Sequence, residues 1–485
     1  MTTAPAGQSH STDIGTVIKN NRKRKCRTSE LPKRKMTETQ SCVVFILNPN
    51  VPCGTVQKVF SIRLKWRFLS VKFALVTFGC KVNQYDTQLL RESLVAQGHS
   101  EVSPRNIADI YVVNTCAVTV HSERKARQQI HRIARKNPNA RIFVVGCAVE
   151  RDKEVWSDLP GVSAVAGANE ALSLLGGTEG LAENVGISRF SGHTRAFLKV
   201  QEGCDSFCSY CIVPHVRGRS RSRAISEVVE EARRLVDNGH CEIVVSGIHV
   251  GMYGQDFDNR LTLVDLLQEL NKIPELLRLR LSSIEMGEID DELIRFAANS
   301  PKFCQHFHVP LQSGDDAVLR RMNRRYTADE FLSSIDGIRS MIDRPAITTD
   351  IMVGFPGETE EEFENTLSTC RAAKFSRTHI FPFSPRPGTP AATMPDQVDP
   401  TVIRERQQHL AKLTDTLALE FKQQFVGETL QVLVESRRDR ESGLLVGYSG
   451  RYIRCLLEGP DSLMNGVSEA TVREAHSDHV VAEIM

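Results

Sequence analysis

The sequence is short of the features that mark several large protein classes. No stretch approaches the ~18–20 consecutive apolar residues of a membrane helix, and the longest suspicious run, Ser41 to Leu47, is far too short. No membrane association is expected. Cysteine is sparse and odd in number, thirteen in 485 residues, which excludes a disulfide scaffold. No signal peptide stands out, so the expected location is the reducing cytosol, with thiols free for metal or catalysis. Internal repeats are absent. Net charge is only +2. That value hides an asymmetry: residues 1–70 hold thirteen Lys/Arg against three acids, giving +10 there and −8 over the remaining 415 residues. Nucleic-acid binding by the body must then use local patches rather than an overall field.

What is present is ordinary globular composition, 41% hydrophobic and 25% charged. The length suits about three domains. Residues 1–40 are polar and basic without an apolar period and read as disordered; residues 41–70 show no clear helix or strand repeat. Regular signal starts at Phe73. Strand patterns at Phe73–Phe78, Ile110–Val113 and Arg141–Val145 alternate with helical patterns at Thr87–Ala96 and Ser122–Ala134. This predicts a parallel α/β domain over 71–180, with Gly176 to Gly186 as linker. Six strand–helix units follow over 190–420. Strands are predicted at Ala196–Gln201, Glu242–Ser246, Leu277–Ser282, Gln305–Val309, Ile347–Val353 and Thr378–Phe383, with helices such as Ser226–Asn238, Asp290–Ala298 and Thr359–Ala373. Six units suit a partial (β/α)6 barrel better than a complete eight-stranded one. Thr401 to Phe425 reads as a helical connector. Short alternating strands at Leu430–Val434, Leu444–Tyr448, Tyr452–Leu457 and Val480–Ile484 then predict a small β-barrel over 422–485.

The sharpest chemical signal is Cys204-Asp-Ser-Phe-Cys208-Ser-Tyr-Cys211. This C-x3-C-x2-C loop follows a predicted strand, at the edge where parallel α/β folds place their chemistry. Three thiolates can ligate three irons of a cubane cluster and leave the fourth open. A structural zinc site would need a fourth ligand, and His215 is the only close candidate. A second triad is positional. Cys80, Cys116 and Cys147 each follow one strand of the first domain, 36 and 31 positions apart, so a parallel sheet puts all three on one carboxyl edge. The alternatives at this point are a zinc loop or small buried cysteines. Cys26, Cys42, Cys53, Cys241, Cys304, Cys370 and Cys455 show no partner pattern.

Glycine turns at Ser246-Gly247-Ile-His-Val-Gly251 and Gly354-Phe-Pro-Gly357 allow close approach of a nucleotide-like cofactor, or are simply tight turns. Gln312 lies in the polar loop Pro310-Leu-Gln-Ser-Gly314 and is expected at the same cavity. His306 and His308 alternate along one strand and read as hydrogen-bonded barrel-lining residues. Two basic runs stand in the acidic body: Arg124 to Arg141, and Arg217-Gly-Arg219-Ser-Arg221-Ser-Arg223. The second begins six residues after Cys211 and is the candidate phosphate or carboxylate contact.

Together these residues resemble the radical S-adenosylmethionine (SAM) methylthiotransferases. Cys204 to Arg223, Gly79-Cys80-Lys-Val-Asn-Gln-Tyr-Asp86, Asn114-Thr-Cys116-Ala-Val-Thr119, Ser282-Ser-Ile-Glu285, Pro310-Leu-Gln-Ser-Gly-Asp315 and Asp350-Ile-Met-Val-Gly-Phe-Pro-Gly-Glu358 carry the likeness over about 72–485. The segments around Cys80 and Cys116 resemble the branch acting on N6-threonylcarbamoyladenosine in tRNA. Related branches modify isopentenyladenosine in tRNA or an aspartate of a ribosomal protein. The resemblance implies two 4Fe-4S clusters, one on Cys204, Cys208 and Cys211 that binds and cleaves SAM, and an auxiliary one on Cys80, Cys116 and Cys147 that carries the transferred sulfur. It implies Tyr210 against the SAM adenine, Gly247, Gly251 and Gln312 around the SAM or substrate pocket, and an RNA-binding TRAM barrel at the C-terminus. Its expected partners are the tRNA anticodon loop, a flavodoxin- or ferredoxin-type electron donor and a sulfur source, with the enzyme a monomer. The competing class is a non-catalytic zinc or iron–sulfur RNA-binding protein.

Residues 1–70 have no counterpart in the family, and Val71 stands where the family usually begins with methionine. Translation is expected to start at Val71 from a GTG codon. Intact-mass measurement of the native protein checks this, and finding the +10 segment overturns it.

Overall fold

The computed structural model describes residues 70–176, 186–258 and 260–485. The basic extension expected over 1–70 lies, apart from Ser70, outside the described residues. So do Cys26, Cys42, Cys53 and all but the ends of the Gly176–Gly186 stretch.

Five strands, β1 (Lys72–Thr77), β2 (Ser100–Glu101), β3 (Ile110–Thr115), β4 (Arg141–Gly146) and β5 (Val162–Ala166), form a parallel sheet in the order β2-β1-β3-β4-β5. β3 is buried along its whole length, as a central parallel strand with helices on both faces must be. Alternate residues serve opposite faces. Phe73, Leu75 and Val112 pack with Leu90 and Leu94 of helix Lys81–Ala96. Ala74, Val113 and Val144 pack with Ala126, Ile130 and Ile133 of helix Val120–Lys136. The strand order reverses between β1 and β3, which makes their shared carboxyl edge the topological switch point. The first helix starts six residues before the predicted Thr87, because Cys80 caps it in extended conformation and Val82, Asn83 and Tyr85 are buried. β2 and β5 were not predicted: one is a two-residue edge strand, the other a short Ala/Val run.

The next strands are β6 (Arg195–Glu202), β7 (Arg221–Ser222), β8 (Glu242–Gly247), β9 (Arg278–Leu281), β10 (His306–His308), β11 (Ala346–Val353) and β12 (Arg377–Pro382). β6, β8, β9, β10, β11 and β12 run parallel in chain order, with isolated bridges Leu279↔Phe303 and Ser283↔His308 joining β9 to β10. This is the expected open six-stranded barrel. Three of its outer helices start on encoded caps. Thr262/Asp265, Thr327/Glu330 and Thr359/Glu362 each close a capping box.

Helix Pro400–Gln423 leads to β13 (Thr429–Arg438), β14 (Leu445–Ser449), β15 (Arg454–Leu457), β16 (Val467–Ala475) and β17 (Val480–Ile484), which form a closed barrel. β16 escaped prediction because Glu469, Arg473 and Glu474 dilute its alternation. Pairing with β13 and β17 makes it a strand, and Ala470 and Val472 fill the core. Among the described residues no helix is long and apolar enough to cross a membrane.

The first sheet docks on the open barrel through buried charge. Glu231 is fully buried, accepts from Tyr85 Oη at 2.8 Å and Ile187 N at 3.1 Å, and pairs with Arg223 at 2.6 Å. Glu231→Ala is expected to cost about 3 kcal/mol, since removing one partner strands a buried charge. Tyr85→Phe, which deletes one hydrogen bond, should cost about 1 kcal/mol. Denaturant midpoints check the ranking, and equal small losses would refute a docking role.

Candidate active site

The cysteine loop begins at Gly203, whose φ is +76° and where a Cβ would stand 1.9 Å from the Arg219 carbonyl oxygen. Only glycine fits there. The fully buried Gln201 anchors the loop from the strand before it. Its Nε2 donates to the carbonyls of Glu202 and Gly203 and to Ser220 Oγ, and its Oε1 accepts from His249 N at 2.8 Å. One amide thus ties the cysteine loop to the loop after β8. His249 Nδ1 lies 3.3 Å from Cys204 Sγ and 3.2 Å from Ser206 Oγ, while its Nε2 meets Glu288. Burial works against charge on His249, yet hydrogen bonds with Cys204 and Glu288 lift it to about 10. Burial also opposes a Cys204 thiolate, but His249 and the Ser206 N–H draw that thiol below its usual range. Arg324 Nη1 donates to Cys208 Sγ at 3.4 Å and to Glu285 Oε1 at 3.1 Å. A cavity of about 370 Å³ opens beside this loop, lined among others by Ser206, Cys208, His249, Met252, Glu285 and Arg324.

The second triad stands at the ends of β1, β3 and β4. Gly79 and Gly146 precede Cys80 and Cys147 with φ of +110° and +101°. A Cβ would lie 2.7 Å from Cys116 Cβ at the first and 2.3 Å from Asn114 Oδ1 at the second, so both turns require glycine. Asn83, fully buried, is the hub of the site. Its Nδ2 donates to the Phe78 and Thr115 carbonyls, both at 2.9 Å, and its Oδ1 lies 4.0 Å from Cys80 Sγ and 3.7 Å from Cys147 Sγ. Burial pushes Cys116 up to about 11, and Cys147 and Cys211 up to about 12. Such thiols ionise only beside a compensating cation, which a metal supplies.

The basic run after Cys211 divides. Arg217, expected on an RNA-facing surface, is only 3% exposed. Its Nε donates to Cys147 Sγ at 2.9 Å and its Nη2 to Asn83 Oδ1 at 2.6 Å, while Nη1 pairs with Asp86 at 2.8 Å and with Glu202. Arg223 is likewise turned inward, onto Glu231 and the Lys199 carbonyl. Arg219 and Arg221 do face solvent. The charge pattern alone could not separate them, since the two inward arginines flank the two outward ones in one evenly spaced polar run.

The other expected residues scatter. Tyr210 packs with Met322, Phe355 and Phe383, close enough to Cys208 and Cys211 to feel their charge. Gly247 and Gly251 permit close approaches. A Cβ on Gly247 would stand 2.9 Å from Gln201 Oε1, and one on Gly251 would stand 1.8 Å from Glu288 Oε2. Gln312 adopts φ of +65° and bridges by its backbone to Asp350 and Met352. Gly247, Gly251 and Gln312 line neither the cavity beside Cys208 nor the larger one below it. His215 is exposed, with Phe207 edge-on at 6.2 Å. Sequence reasoning missed His249, Arg324 and Asn83. A histidine in the loop after a barrel strand was the available signal for the first.

The larger cavity, about 450 Å³, fills the interior of the open barrel. Lys81 enters it from the first sheet, His306, His308, Asp350 and His379 from the barrel strands, and Tyr452 from the small barrel. Tyr452 has φ of +61°. Its ring stacks on His306 at 5.1 Å, with the guanidinium groups of Arg195 and Arg280 at 5.1 and 4.7 Å.

A three-cysteine loop at the carboxyl end of the first strand of an open parallel barrel defines a radical SAM enzyme. The comparisons agree. Residues 198–370 match the radical SAM superfamily, and residues 72–167 match the uncharacterized protein family UPF0004. The threonylcarbamoyladenosine tRNA methylthiotransferase MtaB of Bacillus subtilis (strain 168) is 38% identical over 423 residues, covering 83% of this chain and 94% of the relative. The tRNA-2-methylthio-N(6)-dimethylallyladenosine synthase of Pelotomaculum thermopropionicum is 36% identical over 433 residues, covering 84% and 96%. The fold is also similar to that of the radical SAM methyltransferase TsrM from Kitasatospora setae, solved with cobalamin and a [4Fe-4S] cluster, at TM-score 0.50 and 14% identity over 67% of this chain and 77% of that one. The chain belongs to the radical SAM methylthiotransferase family. Its cofactors are SAM and 4Fe-4S clusters.

The thiols fit that cofactor class. Among the described residues no three cysteine sulfurs lie within 4.8 Å of one another. One zinc ion, with Zn–S bonds of about 2.3 Å, would hold tetrahedral sulfurs about 3.8 Å apart.

Arg217→Leu is expected to cost about 3–5 kcal/mol, because Asp86 and Glu202 lose a buried partner. Arg219→Leu, at an 80% exposed side chain paired with Asp205, should cost less than about 1 kcal/mol. Chemical denaturation of both variants checks the contrast.

Proposed function

We propose that this chain inserts a methylthio group at C2 of N6-threonylcarbamoyladenosine beside the tRNA anticodon. One observation carries the reading: two thiol triads, on two parallel sheets, joined through the single side chain of Arg217. Cys204, Cys208 and Cys211 hold the SAM-binding 4Fe-4S cluster; Cys80, Cys116 and Cys147 hold the auxiliary one. Bound there, the clusters and SAM supply an electron, hydrogen abstraction from an unactivated aromatic carbon, and the sulfur and methyl that are transferred. The chain's own contribution is placement and charge. His249 and Arg324 meet two sulfurs of the first triad, and Arg217 and the Val118 N–H donate to two of the second. Hydrogen bonds to cluster sulfurs tune reduction potential. The cavity beside Cys208 receives SAM, with Tyr210 behind it, and the barrel interior receives the flipped base.

On this reading residues 71–180 carry the auxiliary cluster, 190–420 the radical chemistry, and 422–485 a TRAM-type grip on RNA, aided by exposed Arg219 and Arg221. The enzyme works in the cytoplasm as a monomer, with a flavodoxin- or ferredoxin-type reductant and a separate sulfur source. Relatives named for dimethylallyladenosine support a second reading, the isopentenyl base as substrate.

Nucleoside mass spectrometry of tRNA from cells with and without the gene tests this. Loss of 2-methylthio-N6-threonylcarbamoyladenosine with build-up of its parent is expected. A change confined to the isopentenyl derivative moves the substrate, and no change in any tRNA nucleoside points to a ribosomal protein. In the purified enzyme, Cys208→Ala should abolish SAM cleavage, whereas Cys116→Ala should keep cleavage and lose methylthiolation. Methylthiolated product from Cys116→Ala would contradict the division of roles.

A further inference from the structure

The barrel cavity carries more positive charge than its own carboxylates balance. Its lining includes Lys81, Arg195, Arg280 and Arg377 against Asp350 and Glu435. Arg195 is taken by Glu435 and Arg280 by the buried Glu242. Asp350 faces His308 at 3.3 Å. Among the described residues the side chains of Lys81 and Arg377 make no hydrogen bond or ion pair. Lys81 is held in the wall by the first turn of the helix that Cys80 caps, so its ammonium is committed to the cavity. Asp350 across the cavity acts on Lys81 only at a distance, so a desolvated ammonium with no bonded partner gains when an anion comes into contact with it.

His308, Asp350 and His379 offer donor atoms within 4.8 Å of one another, a two-histidine, one-carboxylate set that suits a divalent metal. The surrounding charge weighs against a cation, because four cationic side chains, Lys81, Arg195, Arg280 and Arg377, line the same cavity. An anion is what this cavity accommodates. Its remaining surface suits a modified base. Phe197, Val244, Leu281 and Phe381 are apolar, and His306, only 6% exposed, keeps an unpartnered Nδ1.

We propose that Lys81, with Arg377 at the cavity rim, binds a carboxylate on the substituent of the modified base and so determines substrate choice. This rests on the function proposed above. The threonylcarbamoyl group carries a carboxylate and a hydroxyl; an isopentenyl group carries neither. A site with a fixed cation discriminates strongly, because the uncharged competitor leaves it unpaired.

The test measures binding of anticodon stem-loop RNAs to the cluster-loaded enzyme at one fixed salt concentration, since phosphate contacts are salt-dependent. Three RNAs differ only in the base: N6-threonylcarbamoyladenosine, its neutral carboxamide, and isopentenyladenosine. Wild type should bind the carboxylate RNA at least about tenfold tighter than the carboxamide. Lys81→Gln should erase that preference while keeping carboxamide affinity. Arg377→Gln, an exposed and structurally mild change, should reduce the preference by about threefold. Equal binding of carboxylate and carboxamide by wild type overturns the proposal. So does equal weakening of all three RNAs by Lys81→Gln, which would make Lys81 a phosphate contact or a structural residue. Product analysis with the same RNAs separates the two readings. Methylthiolation of the isopentenyl RNA alone defeats the substrate assignment, whereas equal methylthiolation of carboxylate and carboxamide RNAs defeats only the carboxylate anchor.

Discussion

A guanidinium buried between two parallel sheets sets the geometry on which the rest of this molecule depends. Arg217 follows the cysteine loop of the open barrel but ends against Cys147 of the first sheet. Buried charge demands compensation, and the partners that provide it are all tied to a cysteine. Asp86 and Asn83 lie on the helix that Cys80 starts, and Glu202 is the last residue of the strand before Cys204. Lys199 completes the network, reaching Asp86 at 2.7 Å and Glu202 at 3.2 Å. Docking the sheet and placing the two thiol triads are therefore one structural problem.

The thiols themselves are not alike. Cys204 is drawn toward ionisation by His249, whereas Cys116, Cys147 and Cys211 are held protonated by burial. Three donors reach these sulfurs, the Arg217 guanidinium, the Arg324 guanidinium and the Val118 N–H, while Asn83 Oδ1 accepts from the Cys80 and Cys147 thiols. This is the environment of sulfurs that become anionic on binding metal. The glycines serve the same end. At Gly79, Gly146 and Gly203 the backbone turns where a side chain would collide.

Much of this was legible in the sequence, for identifiable reasons. The Cys204 loop is local, so its spacing speaks for itself. Cys80, Cys116 and Cys147 are far apart, yet the rhythm of strand and helix places each at a strand end. The open barrel followed from six repeats of the same rhythm. What escaped was decided by tertiary contact. Nothing in Arg217-Gly-Arg219-Ser-Arg221-Ser-Arg223 says that the first and last point inward. Gln312 looked like a pocket residue, but a left-handed backbone and pairing to β11 turn it into a structural bridge. β16 looks too polar to be a strand until its two neighbours supply the ladder.

The placement of Tyr452 changes what the small barrel is. Its ring closes one end of the barrel interior, and the Tyr448, Ser449 and Gly450 carbonyls beside it accept from Arg278 and Arg280 of β9. The walls of the chamber come from the open barrel, with Lys81 of the first domain set into them, and its floor from the small barrel. Chamber depth is thus a property of how the two pieces seat, not of either alone. A substitution in the β14–β15 turn, remote in sequence from every cysteine of the two triads, is a change in that depth, and a chain lacking the small barrel is a vessel without a bottom, open to water from below.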